Sequence, residues 1–161
     1  MAKRLNAADF DSVIFQWFES THPCQIIKGR SYMKIGFYPI AADILHAGHM
    51  IALEEAKNNC DYLIVGLNCK PDGKSPIQSI YERFMQLRAV KFIDEIIPYE
   101  GRADLELLAS SLDYQVRFVG EDYLNKEWDG KQIEKSLSKE VYFLRRKHSM
   151  SSSNLKERLL K

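Results

Sequence analysis

Two imidazoles, His46 and His49, stand three residues apart in the stretch Tyr38-Pro39-Ile40-Ala41-Ala42-Asp43-Ile44-Leu45-His46-Ala47-Gly48-His49-Met50, with Gly48 directly before the second. The spacing predicts that they bracket the turn into a helix at about 48–59. There Gly48 permits close approach of a ligand to the main chain, and the unpaired N–H groups and positive dipole end of the helix attract phosphate. Imidazoles in such a place donate hydrogen bonds to phosphate oxygens as charge develops. The competing reading, ordinary turn or core histidines, suits a single histidine better than a pair flanking a glycine. Zinc needs at least a third ligand, and neither an HExxH pattern nor a Cys pair supplies one. A second cluster, Arg146-Lys147-His148-Ser149-Met150-Ser151-Ser152-Ser153, sets cations before hydroxyls. Ahead of a helix it forms another phosphate cradle, although a basic, serine-rich turn taken alone is usually a solvated loop.

The elements that must hold these groups follow from hydrophobic spacing. Strand-like runs at 33–38, 62–67, 93–98, 116–120 and 141–144 alternate with helix-like stretches at about 48–59, 79–92 and 103–112. Asn154 with Glu157 resembles a capping box for a last helix. The alternation predicts an α/β fold: a doubly wound, Rossmann-like, mostly parallel five-stranded sheet with helices on both faces. Ligands in such sheets sit at the carboxyl ends of the strands where the winding order reverses. Both clusters are expected at strand ends. Ahead of this core at 33–161, residues 1–32 read as a helical extension, because Phe10, Val13, Ile14, Trp17 and Phe18 share one helical face.

Composition limits what such a chain does. Its 161 residues favour one compact core, and 45% hydrophobic with 28% charged residues excludes a disordered tail. A net charge of +1 argues against general binding to nucleic acid or to an anionic membrane. Three cysteines without a CxxC pair predict a reduced, cytoplasmic setting, and no apolar run suggests a signal or a membrane span.

The two clusters in this order resemble the nucleotidyltransferase superfamily marked by an HxGH motif and a late R-x-x-x-[IM]-S-[ST]-[ST] motif, here His46-Ala47-Gly48-His49 and Arg146 with Met150-Ser151-Ser152-Ser153. The branch most similar is the small cytidylyltransferases typified by glycerol-3-phosphate cytidylyltransferase. Further likeness runs through residues 60–66, through Tyr81-Glu82-Arg83 and 90–98, and through Phe118-Val119-Gly120-Glu121-Asp122.

The resemblance implies in-line attack of an acceptor phosphate on the α-phosphorus of CTP, with release of pyrophosphate and no covalent enzyme intermediate. It implies that His46 and His49 hold the triphosphate and the crowded transition state, and that Arg146, Ser151 and Ser152 hold the β- and γ-phosphates. Tyr38, Pro39, Ile40, Asp43, Gly48, Gly120, Asp122 and Met150 are expected to line the nucleotide, with Arg83 contacting phosphate. Lys70 or Lys74 matches a mobile lysine that joins donor and acceptor phosphates, and Asp43 is also expected near the acceptor. Asp122 has a helix-capping role as its alternative. Mg²⁺ is expected mainly on the nucleotide phosphates, with no side chain assigned to it.

The acceptor expected is a phosphorylated small alcohol. Alternatives are an adenylyltransferase using ATP on a sugar phosphate, nicotinamide mononucleotide or phosphopantetheine, and a degenerate nucleotide-binding regulatory module. The last arises because Ile40-Ala41-Ala42-Asp43 replaces the family's Gly-Thr-Phe-Asp, with an expected loss of backbone freedom. Lys147 and Ser149 also depart from the late motif. The relatives' habit predicts a homodimer, with the apolar face of the extension near the interface or on the flank of the core.

Overall fold

The computed structural model describes residues 33–71, 73, 75–146 and 149–159, so the expectations for the extension at 1–32, for Lys74 and for Lys147 and His148 lie outside the described residues. Five strands, β1 (Ile35–Ile40), β2 (Tyr62–Asn68), β3 (Glu95–Tyr99), β4 (Val116–Gly120) and β5 (Glu140–Leu144), alternate with helices. These are α1 (Ala47–Lys57), α2 (Ile80–Arg88), α3 (Gly101–Ser111), α4 (Lys131–Ser136) and α5 (Ser152–Leu159). All pairings are parallel and the strand order is β3-β2-β1-β4-β5. The chain therefore winds outward from β1 to β3 and then resumes on the other side of β1.

That reversal opens a crevice. β1 pairs with β2 along its whole length, from Ile35↔Tyr62 to Ile40↔Leu67, but with β4 only at Gly36↔Val116 and Phe37↔Arg117. Beyond Phe37 the two strands part, and Pro39 has no N–H to offer a neighbour. The second proline in a strand, Pro98, sits on the edge strand β3, where a missing donor is tolerated.

β2 is buried from Leu63 to Leu67, as a strand covered on both faces must be. α1 contributes Leu53 and Ala56 to the core, α2 Phe84 and Leu87, and α3 Leu105 and Ala109. On one side Phe37, Ile64, Ile97, Tyr99, Leu105 and Tyr114 form one cluster. Beside it lies a buried polar network. The Tyr114 hydroxyl donates to Glu134 Oε1 at 2.5 Å, while the Arg117 guanidinium lies over the rings of Phe37 and Trp128.

Several boundaries differ from the sequence reading. β3 starts at Glu95 rather than at 93, because the Asp94 carboxylate accepts from Leu63 N–H and Lys57 Nζ, both at 2.6 Å, and so belongs to the strand edge. α2 stops at Arg88, where the chain tightens through Ala89 N–H to Gln86 O and Val90 N–H to Leu87 O. The last helix begins at Ser152, not at the expected Asn154 cap: Ser151 Oγ accepts the Asn154 N–H at 3.0 Å, which makes Ser151 the cap. α4 was not anticipated. It is short, follows Gly130 at φ 92°, and turns inward the charged Glu134, which spacing alone marks as surface.

Close approach explains one glycine. A Cβ on Gly36 falls inside van der Waals range of the Phe118 ring and 2.9 Å from Cys60 Sγ. Gly36→Ala is expected to lose about 1–3 kcal/mol by overpacking. Urea unfolding of the two proteins checks this, and an unchanged midpoint refutes the packing argument.

Candidate functional site

The crevice is floored by the loop from Ala41 to Leu45, which joins β1 to α1. Its backbone is strained: Ala42 has φ 54° and Ile44 has φ 50°, left-handed values that are costly for a non-glycine residue and more so for a β-branched one. Ile40, which stands where the resemblance expects glycine, lies inside β1 opposite Leu67 and has no left-handed φ. The loss of backbone freedom expected from the missing glycine therefore does not fall at position 40. The strain sits at Ala42 and Ile44 instead.

Hydrogen bonds from outside the loop hold it in this shape. Arg83 Nη1 donates to Ala41 O and to Asn68 O, both at 2.7 Å, and Nη2 donates to Cys69 O at 3.0 Å. Asp43 Oδ1 accepts the N–H groups of Ile77 and Gln78, both at 3.0 Å, and Oδ2 pairs with Lys156 Nζ at 2.8 Å. The Asp43 carbonyl accepts from Ser152 Oγ at 2.7 Å, and Ile44 N–H donates to Gln78 Oε1 at 2.7 Å. Burial opposes ionisation of Asp43, but Lys156 and the two N–H donors outweigh it and hold the carboxyl below its ordinary range.

This grip sets up the histidines. His46 is the N-cap of α1 with extended backbone, and its Nδ1 accepts the Gly48 N–H at 3.0 Å. His49 Nδ1 faces the His46 N–H at 3.4 Å, and the two ring centroids are 4.1 Å apart. An imidazole nitrogen that accepts from an N–H carries no proton of its own, so in neutral rings the proton is on Nε2. Each ring thus has its donor at the end away from its own helix cap. Burial, then the His46 charge, lower the His49 pKa to about 4; Asp43 opposes them, and Arg146 adds a lesser lowering effect. At neutral pH His49 is therefore an uncharged N–H donor.

The other strand ends converge on the same place. Arg146, just past β5, forms an ion pair through Nη1 with Asp122, which lies in the 3-10 turn Glu121–Tyr123 after β4. Its N–H donates to Glu121 Oε2 at 3.0 Å, while Glu55 of α1 accepts from the neighbouring Arg145 N–H at 3.1 Å. Tyr38 on β1 is within reach of this group. Burial, then Asp122 and Tyr123, push its hydroxyl up to about 12 against the opposing charges of Arg146 and Arg117.

Of the residues named from sequence, the structure gathers Tyr38, Asp43, His46, Gly48, His49, Asp122, Arg146 and Ser152 around the crevice. Pro39 and Ile40 end β1, and Gly120 ends β4 beside Asp122. Ser151 caps α5, and half-buried Met150 precedes it. Asp122 pairs with a cation, and the turn it sits in has no side-chain cap bond, so the capping alternative does not hold. Arg83 is only 1% exposed, with three carbonyls on its Nη groups. Lys70 pairs with Glu100 at 2.7 Å on the surface beyond β2 and β3. Gln78 and Lys156 were missed. For Lys156 the signal was its place four residues after Ser152 on one helical face; for Gln78, a loop residue, local pattern held none.

Imidazole and hydroxyl donors, a guanidinium and a helix N-terminus around a switch-point crevice suit phosphate oxygens, and no nucleophile-and-base pair stands among these residues. Fold and site together define a doubly wound, Rossmann-like α/β domain with its candidate site at the switch point. The chain belongs to the cytidylyltransferase-like family, whose model matches residues 40–158. It is 33% identical over 138 residues to the bifunctional protein HldE of Helicobacter hepaticus, an alignment covering 82% of this chain and 28% of that protein. The chain thus spans well under a third of that relative's length. In fold it is similar to a lipopolysaccharide core biosynthesis protein from Thermoplasma volcanium, with a TM-score of 0.62 and 19% identity over 73% of this chain and 100% of that one. It is also similar to a pantoate-β-alanine ligase from Francisella tularensis, with a TM-score of 0.54 and 19% identity over 80% of this chain and 67% of that one. Among the described residues no helix is long and apolar enough to cross a membrane.

The lowered His49 pKa has a thermodynamic consequence. A free histidine titrates near 6.5, so between about 6.5 and about 4 the unfolded chain binds a proton that the folded site refuses. The stability this group contributes is present above pH ~6.5 and is lost as pH falls toward 4. Thermal melts from pH 7.5 to 4 are expected to fall more steeply for the wild type than for His49→Gln. Parallel curves count against a neutral His49.

Proposed function

We propose that this protein transfers a nucleoside monophosphate from a nucleoside triphosphate to a phosphorylated small alcohol or sugar phosphate, releasing pyrophosphate. The observation that carries the reading is the closely set, tilted His46–His49 pair, with both Nδ1 atoms turned to main-chain N–H groups at the opening of α1. In the reaction an oxygen of the acceptor phosphate bonds to the α-phosphorus as the bond to the β-phosphate oxygen breaks, and the electron pair leaves with pyrophosphate. Nothing covalent is required of the protein. Its work is to align the two phosphates and to place fixed donors where negative charge gathers.

The neutral His49 donates its Nε2–H to a phosphate oxygen in the transition state, and His46 acts beside it. Arg146 exchanges Asp122 for the β- and γ-phosphates, with the Ser151 hydroxyl and the main-chain N–H groups at the start of α5, whereas the Ser152 hydroxyl donates to the Asp43 carbonyl and holds the loop. Asp43 and Arg83 position the loop instead of touching substrate, because protein partners occupy the Asp43 carboxylate and the Arg83 Nη groups. Lys70, if it takes part, must leave Glu100. Mg²⁺, where used, would be held mainly by the hard phosphate oxygens of the nucleotide and would offset their charge, since imidazoles and hydroxyls dominate the crevice.

Two donors remain in competition, each with its own support. The resemblance of the two motifs to the small cytidylyltransferases favours CTP. ATP is favoured by a neighbour of like fold, the Francisella ligase, whose crystal structure is a complex with β-γ ATP and β-alanine.

Pyrophosphate release by the full chain with Mg²⁺, CTP or ATP, and a panel of polyol phosphates and sugar phosphates decides between them. One donor is expected to dominate, and His49→Ala is expected to lower kcat by roughly 10²–10³-fold. Silence with every pairing defeats the enzyme reading and leaves the nucleotide-binding module.

A further inference from the structure

The loop beneath the histidines holds a conformation its own residues disfavour. Ile44 at φ 50° is β-branched and left-handed, and it lies two residues before the His46 cap. A side chain outside the loop completes it: Gln78, in the segment that leads into α2, accepts the Ile44 N–H through Oε1 at 2.7 Å. The same residue donates its own N–H to Asp43 Oδ1 at 3.0 Å, so Gln78 grips residues 43 and 44 with opposite ends of its structure. Both contacts are at least partly removed from water, where loss of a partner is expensive.

From this geometry we infer that Gln78 is a positioning residue for the histidine pair: its amide oxygen keeps Ile44 left-handed, and that backbone setting aims His46 and His49. The chain of cause is short. If the amide oxygen is removed, the Ile44 N–H loses its acceptor and the left-handed conformation loses what offsets its cost. The residue then relaxes toward negative φ, which rotates the peptide planes entering the cap of α1. His46 N–H, which faces His49 Nδ1 at 3.4 Å, moves with them, and the bond that keeps the His49 proton on Nε2 is lost. Gln78 also belongs to the stretch that runs from β2, past Lys70, to the Ser79 cap of α2. The setting of that polar segment and the aim of the histidines are thereby joined through one side chain.

The inference rests on the transferase reading for its consequence in turnover, but its structural content is measurable without turnover. Gln78→Ala in the full chain removes the acceptor and leaves the main-chain bond to Asp43. The ¹⁵N signals of the two imidazoles are expected to report Nε2–H tautomers in the wild type, and those of His49 mixed tautomers in Gln78→Ala. With substrates, kcat is expected to fall by roughly 10–100-fold with KM for the nucleotide changed far less, since a small misplacement of a reacting group is costly. The decisive arm is Ile44→Gly, because glycine adopts the left-handed conformation without help. In that background Gln78→Ala is expected to cost much less, and the imidazole signals return to the Nε2–H pattern.

Wild-type signals in Gln78→Ala overturn the inference, as does an equal loss with and without Ile44→Gly. If Gln78→Ala does not fold, the double variant carries the test: folding with Nε2–H signals supports the inference, and failure to fold overturns it. If no nucleotide pairing gives pyrophosphate, the transferase reading fails while the tautomer result still decides the role of Gln78.

Discussion

The grip on residues 41–44 is the constraint on which the rest of the crevice depends. Asp43 accepts two N–H groups from the segment before α2 and the ammonium of Lys156 from α5, and its carbonyl accepts Ser152 Oγ from the same helix. Arg83 holds Ala41 from behind. A short loop with two left-handed non-glycine residues persists only if its surroundings determine it more strongly than its own torsions do. Here the surroundings are elements far apart in sequence, drawn from α2, its approach and α5. The strain at Ala42 and Ile44 is thus stored where a phosphate-handling turn needs a fixed backbone.

Arg83 shows how a buried cation is accommodated in such a place. The ladder between β1 and β2 ends at Ile40↔Leu67, and the carbonyls of Ala41, Asn68 and Cys69 lie beyond it. Three carbonyls on one guanidinium offset the loss of water around the charge and leave its positive field beneath the crevice. Arg146 works differently. Half exposed and paired with Asp122, it keeps its charge close to His49, where it helps to hold that ring neutral. In a chain with a net charge of +1, the cations at the crevice are thus set against the carboxylates of Asp43, Asp122 and Glu121.

The histidine pair gains its directionality from the same economy. Each Nδ1 is turned toward a main-chain N–H at the helix opening, so the cap that starts α1 also fixes the tautomers of the rings. One set of contacts satisfies the orphan donors of a helix N-terminus and leaves Nε2–H as each ring's donor. Membership in the cytidylyltransferase-like family is consistent with this placement at the switch point between β1 and β4.

Much of this was legible in the residues themselves. The strand and helix alternation sets the parallel sheet, because a buried strand and an amphipathic helix have different periods. β4 matches its expected span, and the remaining strands differ by one or two residues at their ends. The HxGH stretch and the late serines are likewise local patterns, and both lie at strand ends as expected. Other features depended on distance in the folded chain and had no local signal. Glu134 turns inward only because Tyr114 and Arg117 meet it there, although a charged residue in a short polar helix reads as surface. Asp43, Arg83 and Gln78 spend their polar groups on partners that sequence separates by up to 113 residues, so their positioning of the crevice emerged only when those partners came together. Local chemistry determined which residues can handle phosphate; tertiary contacts decided which of them face the crevice and which hold it in shape, because a hydrogen-bonding group's role is set by the partner it finds.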